Sequence, residues 1–182
     1  METIADRYRR LRTAFADRIR QVPPHGWANP SPCEEWTALD LVGHVIDTQG
    51  MFEQLVGRTL EPGPAVADDA LGAFTAATVQ VQTHLDDPVT AAAEFDGAFG
   101  RSTFEDAVDG FLCFDLVVHG WDLARAAGLD ERLEPDDIAR VREATAGFGD
   151  ALRSPGVCGA EISPNEDASE QDKLLAFLGR RP

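Results

Sequence analysis

Several kinds of residue are scarce in this chain. Cysteine occurs three times, at Cys33, Cys113 and Cys158. An odd number at wide spacing excludes a disulfide framework and reads as reduced thiols in a cytoplasm. Lysine occurs once, at Lys173, while the other fifteen of the sixteen basic residues are Arg, a bias that reads as the mark of a GC-rich genome. Basic residues as a class are outnumbered: 16 Lys+Arg face 32 Asp+Glu, for a net charge of −16 and an isoelectric point near 4.4. That balance argues against nucleic acid and anionic membrane surfaces, both of which are held by Lys and Arg. No apolar run approaches the ~20 residues of a membrane span, and the opening METIADRYRRLRTAFADRIR lacks the apolar core of a signal peptide. Nucleophile signatures are missing too: there is no G-x-S-x-G, no C-x-x-C and no glycine-rich phosphate loop.

What remains is an ordinary globular composition of 182 residues, 43% hydrophobic and 26% charged, which predicts one domain over residues 1–182. Ile4, Tyr8, Leu11, Phe15, Ile19 and Val22 form one helical stripe, stopped by Pro23 and Pro24. A Pro-, Asn- and Ser-rich stretch follows to Glu35. A second helix is expected from Thr37, which caps while Asp40 completes a capping-box spacing, to Val56, with Gly57 as its stop. A third reads from Asp68 to Leu85. Residues 89–101 read as a loop with at most a short extended piece. Ser102 with Glu105 opens a fourth helix reaching Ala127, with Gly128 as its C-terminal glycine. Pro135 starts a fifth helix running through Leu152, and a short last one covers Ala168 to Leu178. Without a strand pattern, these elements predict an all-α fold: a four-helix bundle with additional short C-terminal helices.

Two helices break their own pattern. FLCFDLVVHGWDLARAAG is apolar nearly all round, yet Asp115, His119 and Asp122 fall within about 60° of one another on its wheel. The second helix repeats the offsets with Asp40, His44 and Asp47 among Leu41, Val42, Val45 and Ile46. A buried carboxylate or imidazole costs several kcal/mol unless paired or metal-bound. Asp115 and His119 one turn apart, joined by His44 from a neighbouring helix, would present three ligands to a divalent ion. Two imidazoles and a carboxylate suit Zn²⁺ with an open position, or Fe²⁺ or Ni²⁺. Gly43 and Gly120, beside the two histidines, suggest close helix approach or room for a ligand.

A plainer reading stays open at this point. Asp115 and His119 could be a simple ion pair, and His44 a core histidine satisfied by a hydroxyl. Asp47 and Asp122 are read as orienting a ligand or as surface groups, with Asp122 also a pocket candidate, and Trp27 and Trp36 as lining the mouth of the site or merely packing. His25 and His84 are read as structural or solvated. Cys113 is expected to be inert in its apolar run, and Cys33 to be poorly reactive beside Glu34 and Glu35.

SPCEEWTALDLVGHV, DLVVHGWDLARAAG and the closing EDASEQDKLLAFLGRRP resemble the actinobacterial metal-binding proteins of the DinB-like superfamily. More narrowly, they resemble the group related to the metal-binding domain of mycothiol-dependent maleylpyruvate isomerase. The resemblance implies a DinB-like four-helix bundle holding a divalent metal, Zn²⁺ foremost and Ni²⁺ or Fe²⁺ as alternatives, through His44, Asp115 and His119. It further implies a thiol transferase or isomerase in which the metal holds the thiolate of a low-molecular-weight thiol for attack on an electrophile. The sequence departs from the isomerase in lacking a separate C-terminal domain and in carrying Asp115 where the isomerase has Glu, so maleylpyruvate isomerisation itself is not expected. The other readings are a non-catalytic metal- or small-ligand-binding bundle and a purely structural interaction module. Members of the superfamily often pair, so a homodimer is among the expectations.

Overall fold

The computed structural model describes residues 2–97, 100–154 and 157–182, with the side chains of 150 and 151 left aside. The chain divides into two compact units, Met1–Asp130 and Glu131–Pro182.

The first unit is a helical bundle. α1 (Ile4–Gln21) begins at Thr3, whose side chain accepts a hydrogen bond from the Asp6 N–H, and buries the expected stripe of Tyr8, Leu11, Phe15 and Ile19. α2 (Ala38–Leu55) opens with the expected capping box: Thr37 accepts from the Asp40 N–H at 3.2 Å, and Asp40 accepts from the Thr37 N–H at 2.9 Å. The Thr37 hydroxyl also donates to the Asp40 carboxylate at 2.6 Å, and this bond, with that from the Thr37 N–H, holds the Asp40 carboxyl below its ordinary value. α3 (Ala70–Asp86) starts two residues later than Asp68, because Asp69 takes the cap by accepting from the Gly72 N–H at 2.8 Å.

Residues 89–101 hold more order than a loop. Asp87 caps a single turn, α4 (Pro88–Ala91). β1 (Glu94–Gly97) then pairs antiparallel with β2 (Gly100–Thr103), Phe95 opposite Ser102. Residues 98 and 99 of that segment lie outside the described residues. Thr103 rather than Ser102 caps α5 (Phe104–Ala107), and its partner is Asp106 rather than Glu105. Thr103 is the last residue of β2, so the helix starts directly after the strand and the strand's final hydroxyl caps it. A π-helical turn, Val108–Leu112, carries α5 into α6 (Cys113–Ala127), so the expected fourth helix is broken by one extra residue in its ladder. α6 ends at Gly128, which is left-handed at φ 68°, as its glycine implied.

α1, α3, α2 and α6 close a ring in that order, each packed on the two beside it. Their shared core contains Tyr8, Phe15, Leu41, Phe74, Leu116, Trp121 and Leu123. Phe15 stacks on Phe74 with ring centroids 4.9 Å apart. At Gly120, α1 approaches α6: a Cβ there would lie 3.3 Å from the Arg18 guanidinium and 3.6 Å from the Phe15 ring. Gly43 shows the other possibility, since a Cβ would meet only open space. This is an all-α, DinB-like four-helix bundle, in which the small hairpin is the only sheet among the described residues.

In the second unit, α7 (Pro135–Phe148) gives way to a 3₁₀ stretch, Gly149–Arg153, instead of running through Leu152. Gly149 adopts φ 51°, which ends the α-helix there. α8 (Glu170–Phe177) is shorter than expected because Ser169 and Asp172 form a capping box at its start. Gln171 joins the two ends of this unit, accepting from the Leu133 N–H at 2.8 Å and donating to the Glu131 carbonyl at 3.1 Å. No helix among the described residues is long and apolar enough to cross a membrane.

Candidate metal centre

The site forms where α2 and α6 lie side by side. His44 projects from α2 just past its second turn, and Asp115 and His119 project from α6, one turn apart. Asp115 stands between the imidazoles: its Oδ2 is 3.9 Å from His44 Nε2, and its Oδ1 is 3.8 Å from His119 Nε2. The two rings meet edge to face with centroids 5.1 Å apart. One donor atom from each of the three residues falls within 4.8 Å of the others. Tetrahedral N and O ligands about 2.1 Å from an ion are roughly 3.4 Å apart, so each histidine has to approach Asp115 by about half an ångström to close on a divalent ion. The sequence places both histidines in buried interiors, but only His119 is buried. The His44 side chain is 33% exposed and Asp115 16%, which gives the trio an open side.

Behind His119 lies a buried carboxylate. Asp122 is fully buried and accepts a hydrogen bond from His119 Nδ1 at 2.9 Å. A carboxylate on Nδ1 fixes the tautomer that leaves Nε2 free to ligate, and it raises the basicity of that nitrogen. Burial opposes a charge on His119. The hydrogen bonds to Asp122 and Cys33, with the negative charge of Asp115 and Asp122, nevertheless push its pKa up to about 10. His44 moves the other way, held below its ordinary value by burial and by the charge on His119, with Asp115 and Asp47 opposing.

The loop before α2 builds the wall. Asn29 ties it to α6 by donating to the Ala126 carbonyl at 2.8 Å, while Ala38 N–H donates to Asn29 at 2.9 Å. Ser31 N–H donates to Trp36 at 2.8 Å, and Trp36 N–H closes a turn on the Cys33 carbonyl at 3.2 Å. The turn lays the Trp36 ring 4.5 Å from that of His44 and 6.2 Å from that of His119. Trp27 sits half-buried in a 3₁₀ turn, Gly26–Ala28, and among the described residues no ring contact joins it to either histidine. Glu35, inside the closing turn, is held at φ 67°, a left-handed conformation that costs a non-glycine residue about 1 kcal/mol or more. Glu35→Gly is therefore expected to leave stability unchanged or raise it by up to about 1 kcal/mol in urea unfolding. A loss of stability would show that the Glu35 side chain matters more than its backbone.

The same turn brings in Cys33, whose sequence neighbours argue for a poorly reactive thiol. Its thiol donates to Asp122 Oδ2 at 3.5 Å and lies 3.9 Å from His119 Nδ1. Glu34 and Glu35, the neighbours in question, are exposed. The contact spans 86 residues of sequence, and no local pattern announces it. His84 is likewise more than a solvated helix end: its Nδ1 lies 2.7 Å from Oε1 of the fully buried Glu53.

Comparison with known proteins bears on the same part of the chain. The profile of the family described as "Mycothiol maleylpyruvate isomerase N-terminal domain" matches residues 8–124, which contain the four bundle helices nearly whole and all three donors. An uncharacterized protein found in two strains of Mycobacterium tuberculosis is 31% identical over 175 residues, covering 95% of this chain and 95% of its own length. No solved structure matches the chain. The matched span begins at the buried Tyr8 and closes just beyond Asp122, so this chain belongs to the mycothiol maleylpyruvate isomerase N-terminal domain family.

Proposed function

We propose that this protein binds a divalent ion, Zn²⁺ foremost, through His44 Nε2, Asp115 and His119 Nε2, and uses it in a thiol-dependent transfer or isomerisation. The observation that carries this reading is the sharing of labour around His119. Asp122 occupies its Nδ1 side, while Nε2 faces a partly open trio of donors. Bound there, a divalent ion supplies Lewis acidity that turns a coordinating thiol into thiolate at neutral pH.

The chain's own residues shape what reaches that position. Asp115 and two neutral imidazoles carry −1, so a divalent ion brings the trio to +1 and, counting the Asp122 carboxylate on His119, the site to neutrality, which removes the repulsion that a protein of net charge −16 otherwise presents to a thiolate or carboxylate. The Trp36 ring walls the open side against bulk water and leaves the exposed edge of His44 as the approach. A non-catalytic centre would need a fourth protein donor. The nearest candidate, Cys33, stands at the Nδ1 side of the ring, away from the trio. The acidic surface and reduced thiols fit a small-molecule thiol and electrophile met in a cytoplasm.

The test is thiol consumption by metal-loaded protein in the presence of a low-molecular-weight thiol and an electrophile. His44→Ala, shown by circular dichroism to remain folded, is expected to lose it. Equal consumption by wild type and variant would overturn the catalytic reading.

A pH dependence follows from His119. Its unfolded value is about 6.5 and its folded value about 10, so the metal-free fold holds an extra proton across that window. That stabilisation is fully present below about 6.5 and is lost as the pH rises through about 10. Ion binding must expel the same proton, so affinity is expected to rise over the range in which metal-free stability falls. Thermal midpoints of metal-free protein and of His119→Gln across this window check the first half, the variant showing the smaller decline. Calorimetric titration with Zn²⁺ checks the second.

A further inference from the structure

His119 has a second set of donors. On its Nδ1 side, Cys33 Sγ, His119 Nδ1 and Asp122 Oδ2 make a triangle with sides of 3.9, 3.5 and 2.9 Å. An ion bound tetrahedrally at about 2.3 Å from sulfur and 2.1 Å from nitrogen or oxygen holds such donors roughly 3.4–3.6 Å apart. Two sides of the triangle thus match a coordination site within a few tenths of an ångström, and the third, the His119–Asp122 hydrogen bond, opens by about 0.5 Å when an ion takes its place. Its donor set differs from the outer trio by a thiolate, which favours softer, thiophilic ions. It also has an entrance, because Cys33 is half-exposed on its loop while Asp122 is fully buried beneath it.

We propose that Cys33, His119 and Asp122 form a second metal site, distinct from His44–Asp115–His119, that takes a thiophilic divalent cation such as Cd²⁺. Binding there displaces the Cys33 thiol proton and the His119 Nδ1 proton to solvent and leaves Nε2 protonated. A neutral imidazole has one free lone pair, so an ion on Nδ1 leaves Nε2 protonated and the two trios compete for one ring. The inner site stands on its own donors and does not require that the outer trio hold an ion.

The experiment is titration of the full chain with Cd²⁺, followed by thiolate-to-cadmium charge-transfer absorption in the near ultraviolet. Wild type is expected to develop a band that saturates at about one equivalent. Cys33→Ser is expected to lose the band, although Cys113 and Cys158 remain. His44→Ala, which cripples only the outer trio, is expected to keep it. Asp122→Asn should weaken Cd²⁺ binding about tenfold or more. Alkylation gives a reading on wild type alone: Cd²⁺ is expected to protect the Cys33 peptide from iodoacetamide, as seen by mass spectrometry. Absence of the band in wild type, or a band of equal size in Cys33→Ser, overturns the proposal. A band lost in both Cys33→Ser and His44→Ala would merge the two trios into one site and overturn it as well. If the band persists in His44→Ala while the double variant Cys33→Ser/His44→Ala binds Zn²⁺ as tightly as Cys33→Ser alone, the inner site stands and the outer reading fails.

Discussion

Replacing His119 with Ala is expected to cut the divalent metal that copurifies with the protein from about one equivalent per chain to less than about 0.2. His119 is the least replaceable of the three donors. His44 and Asp115 reach partly into solvent, where water can stand in for a lost ligand, whereas the His119 side chain is 9% exposed and backed by a buried carboxylate. Asp122→Asn removes the charge behind Nδ1 without touching the ion, and is expected to weaken binding about 10–100-fold. The ordering His119→Ala far below Asp122→Asn, and Asp122→Asn below wild type, distinguishes a ligand from a residue that orients it. Mass spectrometry of protein purified without added metal reads the first effect, and competition with a chelator reads the second. Equal metal content in wild type and His119→Ala would remove the outer trio from consideration.

The second large effect lies away from the site. Glu53 is fully buried on α2. Its carboxylate meets His84 Nδ1 at 2.7 Å and Arg58 Nη1 at 3.6 Å, while Arg58 also donates to the Thr90 carbonyl at 3.1 Å and lies over the Phe104 ring. His84→Leu leaves that carboxylate in the interior with only the longer contact to Arg58, and is expected to cost about 3–5 kcal/mol at neutral pH. Glu53→Leu removes the buried carboxylate itself and leaves His84 and Arg58, 30% and 21% exposed, whose polar atoms water can reach. Its cost is expected to be smaller, about 1–2 kcal/mol. Urea unfolding of both variants settles the order. If Glu53→Leu proves the more damaging, the carboxylate is valued for packing rather than for its pairing with His84.

These two regions show what the sequence made legible. The bundle could be read because its signals are local: an apolar stripe at offsets of three and four in α1, a Thr37–Asp40 box, a Gly128 that has to turn left-handed. The expected donors His44, Asp115 and His119 stood out because polar residues aligned on an apolar helix must find partners or a ligand, and the fold brings all three together. Elsewhere a pattern with two solutions was resolved by tertiary structure. Ser102 with Glu105 and Thr103 with Asp106 share one spacing, and the chain caps with Thr103, the last residue of β2. The π turn at Val108–Leu112 adds a residue without altering composition or period enough to be seen in one sequence. Cys33 and Glu53 could not be judged from their neighbours. The exposed glutamates beside Cys33 pointed to an inert thiol, while the side chains that surround it come from α6. Glu53, near the end of α2, carries no local signal of its burial, because its partner His84 comes from α3.

The central claim is that the outer trio holds an ion with a coordination position left open for a thiol. X-ray absorption at the zinc edge tests it most directly, on Cys33→Ser protein loaded with one equivalent of Zn²⁺ so that the inner thiol cannot contribute. Without added thiol the first shell is expected to contain nitrogen and oxygen only. A low-molecular-weight thiol should then add one sulfur at about 2.3 Å. A shell unchanged by saturating thiol, or zinc that fails to bind this variant at all, would contradict the account.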